Sequence, residues 1–596
     1  MFYPTERAWG YSDMLFGTGV LYAVVRTLGL GLFHAANATL VVLSLFSYAS
    51  AYWLLRRALK LGCAASVVGA FFFAFAYPKF IQLPHLQLRF DFFQPLALGA
   101  IAPLFLEERV WRPRDVAIRS SAFVAAFCLG ASTAFYLAWF FLFFVSVSAA
   151  VGLAFPIIRA RTAMHGRQSW RVFWIPVTLA GILLLPFFYV YLPAMRLPGR
   201  NWQRTIDYIP TIADYVWLGP EHFLWGGLRF NRPDGIVNPI EKHLGIGFAV
   251  TGALLIAWGW ALRHLIGALR GTHRAASARA DSLAAILCGS LIVTVVTMQW
   301  GPLYPWKAIY QLIPGASAML AVGRWAITLA LPVSILLAVG IDSMRRRWTG
   351  HPGLASVTIV VVALFIALEQ VGRIPYSYSG RVAAAYHEEL ARAVPAACEA
   401  FLLVPPDPSE ETGLIGRGRF DEARYLAANP DVARNWRGDA WAHYRQFGYH
   451  EGRTGFLRPG SARSDSDPPI SRDHFDAVKY LAANPDIALN WRGSAWEHYK
   501  QFGYRERRGL DPVEAAWQRY ENFHYHLSAM IVSAMSGKPT VNGASGLAPA
   551  NYPLSNLFHL DRGQQLAAWM SKHPNRHACL VSKRLSPGDL DAPRKP

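Results

Sequence analysis

The chain has 596 residues, of which 53% are hydrophobic and 14% aromatic, and its mean hydropathy is +0.22. Only 16% of the residues are charged, well below the ~25% usual in soluble domains. The net charge of +20 would suit a nucleic-acid-binding protein, but much of the basic excess lies in short turns between apolar runs, as in membrane proteins. Composition therefore indicates a polytopic membrane protein and argues against a nucleic-acid partner.

The first 34 residues are predicted to form an external loop and an interfacial helix. The segment MFYPTERAWGYSD is polar and aromatic, without the charged-then-apolar order of a signal peptide. Met14–Phe33 is apolar but carries Arg26 and several glycines, a composition that favours the membrane interface over a full crossing.

Ten apolar segments follow within residues 35–372, each near the ~20 residues that cross a ~30 Å hydrocarbon core. The predicted spans are 35–55, 62–82, 90–106, 116–132, 134–156, 172–193, 243–262, 282–300, 323–343 and 354–372. The ninth passes Arg324, continues as an apolar run from Trp325 to Ile341, and ends at Arg345–Arg347. We therefore expect a transmembrane domain over 35–372.

Arginines are concentrated in alternate turns between these spans. The basic residues concerned are Arg56, Arg57 and Lys60; Arg109, Arg112, Arg114 and Arg119; Arg159, Arg161, Arg167 and Arg171; Arg263, Arg270, Arg274 and Arg279; and Arg345–Arg347. These turns are predicted to be cytoplasmic, which puts both termini outside. An external N-terminus without a signal peptide leads us to expect a further helix before Met1 in a longer native chain.

Residues 373–596 are mostly polar and contain an internal repeat. Phe420–Arg453 and Phe475–Arg508 share the pattern FD-x3-YLAANPD and are identical at 24 of 34 positions. Each copy is predicted to form a pair of short helices, joined by a flexible linker over 454–474. The flanking segments 373–419 and 509–596 are predicted to form the rest of an extracytoplasmic region.

Two cysteines of this region, Cys398 and Cys579, lie in short strand-like runs. They would be able to pair in an oxidising compartment, but spacing alone leaves the pairing open. Cys63, Cys128 and Cys288 lie in apolar runs and are predicted to be packing residues. The fold class is therefore mainly α: a helical membrane protein of about ten spans with a small C-terminal α+β region that contains two helical repeats.

Five segments, in this order along a ten-span chain, resemble the C-type superfamily of integral-membrane glycosyltransferases, in its uncharacterised bacterial branch. The segments are YPTERAWGYSD (3–13), AFAYPKFIQLPHLQLRFDFFQPLAL (74–98), NPIEKHLGIG (238–247), IPGASAMLAVGRWAI (313–327) and KPTVNGASGLAPANYPL (538–554). The resemblance covers about 1–400 and 515–590. Two departures are the missing first span, which usually precedes the catalytic acidic loop, and the repeats inserted into the C-terminal domain.

The resemblance implies transfer of a sugar from a polyprenyl-phosphate carrier. Such a reaction needs a cation or metal for the phosphate, a carboxylate base and an apolar groove; a divalent cation as cofactor is left open. Glu6 and Asp13 are the acids of the first loop and the candidate bases. An arginine at an outer span end suits a phosphate, so Arg324 is the candidate phosphate ligand, although an interfacial anchor would have the same position.

The other candidate substrate-binding residues lie in the remaining segments. They are His85, Gln87, Arg89 and Asp91 at one outer helix end, Glu241 at a helix start, and Asn542 and Ser545 in the Asn-Gly loop. Titratable groups at membrane depth are costly and tend to be functional, but anchoring in headgroups would explain the first four equally. The Asn-Gly loop would offer N–H groups to a phosphate or simply form a turn. His443 and His498 of the repeats are predicted to be packing or capping residues.

The sequence thus leads us to expect a glycosyltransferase of the bacterial inner membrane, with its C-terminal domain outside the cytoplasm. Its expected partners are a polyprenyl-phosphate-linked sugar, membrane lipid, and a glycan or protein acceptor in the envelope. Two alternatives remain. One is a non-catalytic scaffold of envelope-glycan assembly. The other is a lipid or polysaccharide transporter, against which stand the lack of internal halves and the scarcity of charge at mid-membrane.

Overall fold

The computed structural model of the chain is mainly helical and divides into two compact units. The membrane unit comprises Asp13–Pro375, and the terminal unit comprises Met1–Ser12 together with Tyr376–Pro596. The structure describes residues 1–197, 201–228, 239–272, 277–348, 350–373, 380–405, 420–436, 438–444, 472, 475–504, 506, 508–510, 512–543, 548–549, 551–559, 561–572 and 577–583.

Seven helical segments of the described residues are long and apolar enough to cross a membrane. All seven overlap predicted spans along most of their length, and the last of them contains the apolar run that follows Arg324. Their bounds are Leu32–Ala58, Cys63–Ile81, Phe135–Gly152, Trp170–Met195, Phe248–Leu269, Ala278–Val296 and Val322–Arg347. The multi-pass helical character predicted from the sequence is therefore supported.

The other three predicted spans also coincide with helices, but these are shorter or more polar. Phe93–Leu106 has 14 residues and Pro352–Leu368 has 17. Pro113–Ala131 has 19 residues but begins with Pro-Arg-Asp and carries a second arginine one turn later. These three helices are not among the seven, and ten spans remain a prediction.

In chain order the helices of the membrane unit are α1 to α16. They are α1 Phe16–Thr27, α2 Leu32–Trp53, α3 Cys63–Phe75, α4 Tyr77–Ile81, α5 Phe93–Leu106, α6 Pro113–Ala131, α7 Phe135–Gly152, α8 Pro156–Ser169, α9 Trp174–Met195, α10 Trp202–Ile206, α11 Ile212–Val216, α12 Phe248–Leu269, α13 Ala278–Val296, α14 Trp306–Leu312, α15 Trp325–Arg347 and α16 Pro352–Leu368.

Helix α15 lies at the centre of this unit. It packs against α3, α7 and α13, and its side chains from Trp325 to Ile335 are all buried. A helix that is apolar on every side is expected to be surrounded by other helices. Because α15 has 23 residues at ~1.5 Å per residue, it also separates two ends of the bundle, one at Arg324 and the other at Arg345–Arg347.

The terminal unit is built around a two-stranded parallel sheet. Strand β1 (Ala400–Val404) pairs with β2 (Ala578–Ser582), and a disulfide joins Cys398 to Cys579. The structure thus contains the pairing that the sequence left open. The remaining helices of this unit's frame are α17 Gly380–Arg392, α24 Pro512–Ser536 and α25 Arg562–Ser571.

The first residues of the chain are built into this terminal unit. The Phe2 N–H donates to the Asn542 carbonyl and the Tyr3 N–H to the Thr540 carbonyl, both over 3.1 Å. The Trp569 indole N–H donates to the Tyr3 carbonyl over 3.0 Å. The sequence placed residues 1–34 in one external segment, whereas the structure divides that segment between Ser12 and Asp13.

The repeats form short helices that follow one plan. The first copy contains α18 Glu422–Ala428, α19 Pro430–Asn435 and α20 Ala440–His443, and the second contains α21 Ala477–Ala483, α22 Pro485–Asn490 and α23 Ala495–His498. The prediction of two helices per copy was wrong, because the proline of each Asn-Pro-Asp begins a helix.

Each repeat has its own aromatic core. His443 Nδ1 bonds to the Tyr425 hydroxyl and His498 Nδ1 to the Tyr480 hydroxyl, each over 2.9 Å. Both histidines are buried. The predicted packing role of the two histidines is therefore confirmed, while the predicted linker 454–474 lies almost entirely outside the described residues.

Candidate functional site

Asp13 is held at the start of α7 by backbone contacts of the residues that follow it. The Leu15 N–H donates to the Thr133 carbonyl over 3.2 Å, and the Phe16 N–H donates to the Ser132 carbonyl over 3.3 Å. The Asp13 carboxylate accepts the Phe135 N–H over 3.0 Å. A distant aspartate thus caps α7, where the unpaired N–H groups of a helix favour a negative charge.

Arg324 forms a two-point ion pair with Glu241 at the same end of the bundle. Its Nη2 donates to Glu241 Oε1 over 2.6 Å, and its Nε donates to Oε2 over 3.3 Å. Gln82 Nε2 donates to Oε2 over 3.1 Å. Both charged side chains are only 11% exposed, a setting in which an arginine fork holds a carboxylate firmly. The Nη1 group of Arg324 takes no part in these bonds.

His85 completes this group through its ring. Arg324 Nη2 lies 3.2 Å from His85 Nε2, and because a guanidinium can only donate, Nε2 must accept and the neutral ring carries its proton on Nδ1. Burial, reinforced by the charge of Arg324, lowers the pKa of His85, while Glu241 acts in the opposite direction. The imidazole is therefore neutral at pH 7.

Two buried polar atoms of the cluster make no hydrogen bond to any described residue. They are His85 Nδ1, a donor, and Gln82 Oε1, an acceptor. Buried polar atoms are nearly always paired in native proteins, so unpaired ones in a cluster call for a partner. This arrangement leaves hydrogen-bonding capacity for a ligand beside Arg324.

Asp13 is part of the same electrostatic group. Burial raises the pKa of its carboxyl, while Arg324, the Phe135 N–H, the Gln87 side chain and the Tyr136 N–H act to lower it. The net shift is upward, which moves the carboxyl toward the range in which a general base is effective. The residue as a whole is partly buried.

Tyr136 lies close to both Asp13 and Arg324. Its N–H contributes to the environment of Asp13, and its ring centroid lies 5.0 Å from the Arg324 guanidinium carbon, within cation–π range. Its hydroxyl accepts the Leu320 N–H over 2.8 Å. The segment before α15 is thereby attached to the start of α7. We call the set Asp13, Gln82, His85, Gln87, Tyr136, Glu241 and Arg324 the Arg324 cluster.

Arg89 and Asp91 belong to a different group. Asp91 forms an ion pair with Lys79 and accepts the Ser47 hydroxyl, and Lys79 also contacts the Phe73 carbonyl and ring. The Arg89 guanidinium donates to the Ala74 carbonyl over 3.2 Å. The sequence grouped His85, Gln87, Arg89 and Asp91. The chain forms a 3-10 turn over Leu86–Arg89, and Arg89 and Asp91 contact residues outside the group around Arg324.

The remaining predicted residues lie in the terminal unit. Glu6 is exposed. Asn542 is fully buried, and its amide accepts the Leu403 N–H over 2.7 Å and donates to the Leu403 carbonyl over 2.9 Å. Its side chain therefore holds β1 in place. Ser545 lies outside the described residues.

The side chains do not provide a ready metal site. Across the described ranges, no three His, Cys, Asp or Glu side chains converge as ligands of one ion. Within the Arg324 cluster, His85 and Glu241 are both bonded to a guanidinium, and an arginine beside the donors opposes a cation. We therefore derive no step through a divalent cation.

Sequence reasoning missed Gln82, Tyr136 and Lys79. Lys79 lies within a predicted span, and a lysine at membrane depth is by itself a signal. Gln82 ends that same span one turn before His85. Tyr136 gave no signal, because a tyrosine at a span end is usually an interfacial aromatic.

No family model matches the chain, and the comparisons with curated proteins and with solved structures found no match.

Proposed function

We propose that the chain is a membrane glycosyltransferase that moves a sugar from a polyprenyl-phosphate donor to an envelope acceptor. The observation that carries the proposal is the Arg324 cluster. It combines Asp13, a partly buried residue whose carboxyl has a raised pKa, with an arginine and with two buried polar atoms that have no partner among the described residues. A base, a phosphate ligand and unused hydrogen-bonding capacity are what such a transfer needs.

In the proposed reaction, Asp13 removes the proton of an acceptor hydroxyl. The freed oxygen bonds to the anomeric carbon of the sugar while the bond from that carbon to the phosphate oxygen breaks. The leaving polyprenyl phosphate takes the bonding electrons, and the Nη1 group of Arg324 binds the resulting charge. The neutral His85 donates from Nδ1 to a phosphate or sugar oxygen. Between Asp13 and Glu6, the environment of Asp13 favours it as the base.

The positive-inside pattern supports an outer location for this chemistry. The cluster lies at the start of α15, and Arg345–Arg347 lie at its end. If the arginine-rich end is cytoplasmic, the cluster faces the outside of a bacterial inner membrane. The disulfide of the terminal unit supports an extracytoplasmic position for that unit as well, because disulfides persist mainly in oxidising compartments.

The test uses the full-length protein in proteoliposomes with a panel of polyprenyl-phosphate hexoses and an extract of envelope glycans. The readout is released polyprenyl phosphate, which is common to all donors. Asp13→Asn keeps an acceptor for the Phe135 N–H, since Asn caps helices as well as Asp, but it has no basicity. We expect a fall of at least about 10²-fold in rate, the lower end for a general base.

Two further variants serve as a control and as a test of the second candidate base. Asp115→Asn removes a carboxylate from the first turn of α6, outside the cluster, and is expected to keep the wild-type rate. Glu6→Gln compares the second candidate base, and a loss there with none in Asp13→Asn would assign the base to Glu6. If neither variant lowers the rate, the base lies elsewhere in the chain.

One observation favours a non-catalytic scaffold instead. The two best-placed donors of Arg324 are already bonded to Glu241, so the charge that would attract a phosphate is largely neutralised. The scaffold predicts no release of polyprenyl phosphate with any donor of the panel, while the donor or a glycan still binds. A direct binding measurement on the same proteoliposomes separates this outcome from an inactive preparation.

A further inference from the structure

A cavity of about 770 Å³ lies between α5, α7, α13 and α15, within the ~300–1,000 Å³ range of small-molecule sites. Its wall is apolar and includes Leu98 and Phe105 of α5, Phe144 of α7, Ile286 of α13 and Ile335 of α15. None of its lining residues belongs to the Arg324 cluster. Such a wall favours a hydrocarbon chain over water.

The cavity lies at the arginine-rich end of the bundle. Its lining includes Arg279 at the start of α13 and Arg346 at the end of α15. Arg346 is 22 residues after Arg324, so about 33 Å of helix separates the two arginines. A phosphate bound at this end is therefore distinct from a donor phosphate at Arg324.

A second, smaller cavity of about 340 Å³ adjoins the first and shares Leu106 and Arg279 with it. This chamber is polar, and the charged side chains in its wall are Lys60, Arg109 and Arg279 together with the carboxylates Glu107 and Glu108. Glu107 bonds to Lys60 over 2.9 Å and to Arg109 over 3.0 Å. The two chambers together are apolar on one side and charged on the other.

Arg279 stands where the two chambers meet. It is exposed, and no ion pair or hydrogen bond joins its guanidinium to a described residue. Arg346, the other arginine of the apolar chamber, is bonded to Asp342 over 2.9 Å. Arg279 is thus the cation at this junction whose charge is not taken up by a neighbouring carboxylate in the described ranges.

We propose that the two chambers bind one anionic phospholipid, with an acyl chain in the apolar chamber and the phosphate on Arg279. The charge supports this occupant, since basic pockets between membrane helices on the cytoplasmic side recognise anionic headgroups and a guanidinium matches phosphate geometry. Free phosphate would leave the apolar chamber unfilled, and a neutral hydrocarbon would leave Arg279 unused.

The test is native mass spectrometry of the full-length protein in detergent, titrated with phosphatidylglycerol and, separately, with phosphatidylcholine. We expect one tightly bound phosphatidylglycerol and weaker phosphatidylcholine. Arg279→Gln removes the charge at an exposed position and is expected to raise the Kd for phosphatidylglycerol about fivefold to tenfold, the effect of one cation near a headgroup. Ala102→Trp places a large ring in the apolar chamber, which Ala102 lines, and is expected to abolish binding.

Arg112→Gln is the matched control, because Arg112 is exposed at the same end but lines neither chamber, and it is expected to bind like the wild type. Unchanged phosphatidylglycerol binding in both Arg279→Gln and Ala102→Trp would overturn the proposal. Displacement of the lipid by inorganic phosphate, or by polyprenyl phosphate at lower concentration, would overturn the assigned occupant. Because no transfer activity is measured, the outcome is independent of the proposed glycosyltransferase function.

Discussion

The membrane unit contains two charged clusters that differ in how far their charged side chains are exposed to solvent. The side chains of Lys79 and Asp91 are 0% and 1% exposed, and Asp91 is bonded to both Lys79 and Ser47. In the Arg324 cluster the side chains of Arg324 and Glu241 are each 11% exposed, and Asp13 is only partly buried. The Lys79–Asp91 pair is sealed from solvent, whereas the Arg324 cluster is partly open to it.

This difference separates structural from functional charge. A fully desolvated pair holds its helices in one arrangement, because any loosening would expose each charge to an apolar interior. A partly open cluster has a lower desolvation cost and is able to exchange its internal bonds for those of a ligand. The comparison makes Asp91 a candidate for stability and Asp13 a candidate for chemistry, although both were predicted as site residues.

The largest effect is expected at the sealed cluster. Asp91→Ala leaves the Lys79 ammonium buried without its partner and should cost about 3–5 kcal/mol of folding stability. The measurement is the apparent Tm of the detergent-solubilised protein. The double variant Lys79→Met with Asp91→Leu removes both charges and should recover most of the loss. A single variant as stable as the wild type would show that the cluster is not sealed.

At the Arg324 cluster, the substitution Arg324→Ala leaves Glu241 without its two-point partner. We expect a loss of about 1.5–3 kcal/mol, the value of hydrogen bonds to a charged group, which is smaller than that at Asp91 because the pair is partly hydrated. The same thermal measurement applies. Glu241→Gln in the Arg324→Ala background should restore part of the Tm, and no restoration would mean that Glu241 finds another cation.

Asp13 should separate stability from activity. Asp13→Ala removes the cap of α7 and should cost about 1 kcal/mol, whereas Asp13→Asn keeps the cap and should melt like the wild type. If the two variants melt alike, the bond to the Phe135 N–H does not contribute to stability. If Asp13 is the base, both Asp13→Ala and Asp13→Asn should lose transfer activity.

The pH dependence of transfer should follow the same carboxyl. A base acts when deprotonated, and burial raises the pKa of Asp13 above its ordinary value of 3.8. The rate should therefore rise with pH through that raised pKa and then level off. A pH–rate profile of the wild type measures this, and an unchanged acidic limb in Asp13→Asn, at its reduced rate, would assign the limb to another group.

The smallest effect is expected at an exposed pair near the other end. Lys60 and Glu107 form an ion pair of 2.9 Å with side chains 57% and 25% exposed. Solvent screens such a pair, so Glu107→Ala should cost less than about 1 kcal/mol. The Tm of Glu107→Ala is the reference for an exposed ion pair. A decrease in Tm equal to that of Asp91→Ala would show that solvent exposure does not determine how much a charged pair contributes to stability.

Sequence reasoning located much of the helical frame because long apolar runs reflect membrane crossing directly. It also named Asp13, His85, Gln87, Glu241 and Arg324, five residues from four separate parts of the chain that the structure brings into one cluster. It could not separate Arg89 and Asp91 from His85, because that separation depends on a single turn of backbone whose direction is set by packing against other helices.

The terminal unit shows the limit most plainly. Nothing in residues 1–12 indicates a partner more than 500 positions away, yet the Trp569 indole N–H donates to the Tyr3 carbonyl. Contacts between such distant segments leave no periodic pattern in the sequence from which they could be predicted. The two strands were recognisable as short apolar runs, but their parallel pairing depends on the path of the chain between them.

The hydrogen bonds that join Phe2 and Tyr3 to residues 540–542 also restrict the number of times that the chain crosses the membrane. Two segments that form one folded unit must lie on the same side of a bilayer, so the chain between Ser12 and residue 376 crosses an even number of times. Seven crossings would leave the two segments on opposite sides. If all seven long apolar helices cross, at least one further crossing is needed between these two segments, and an epitope at either terminus should be reached from the same face.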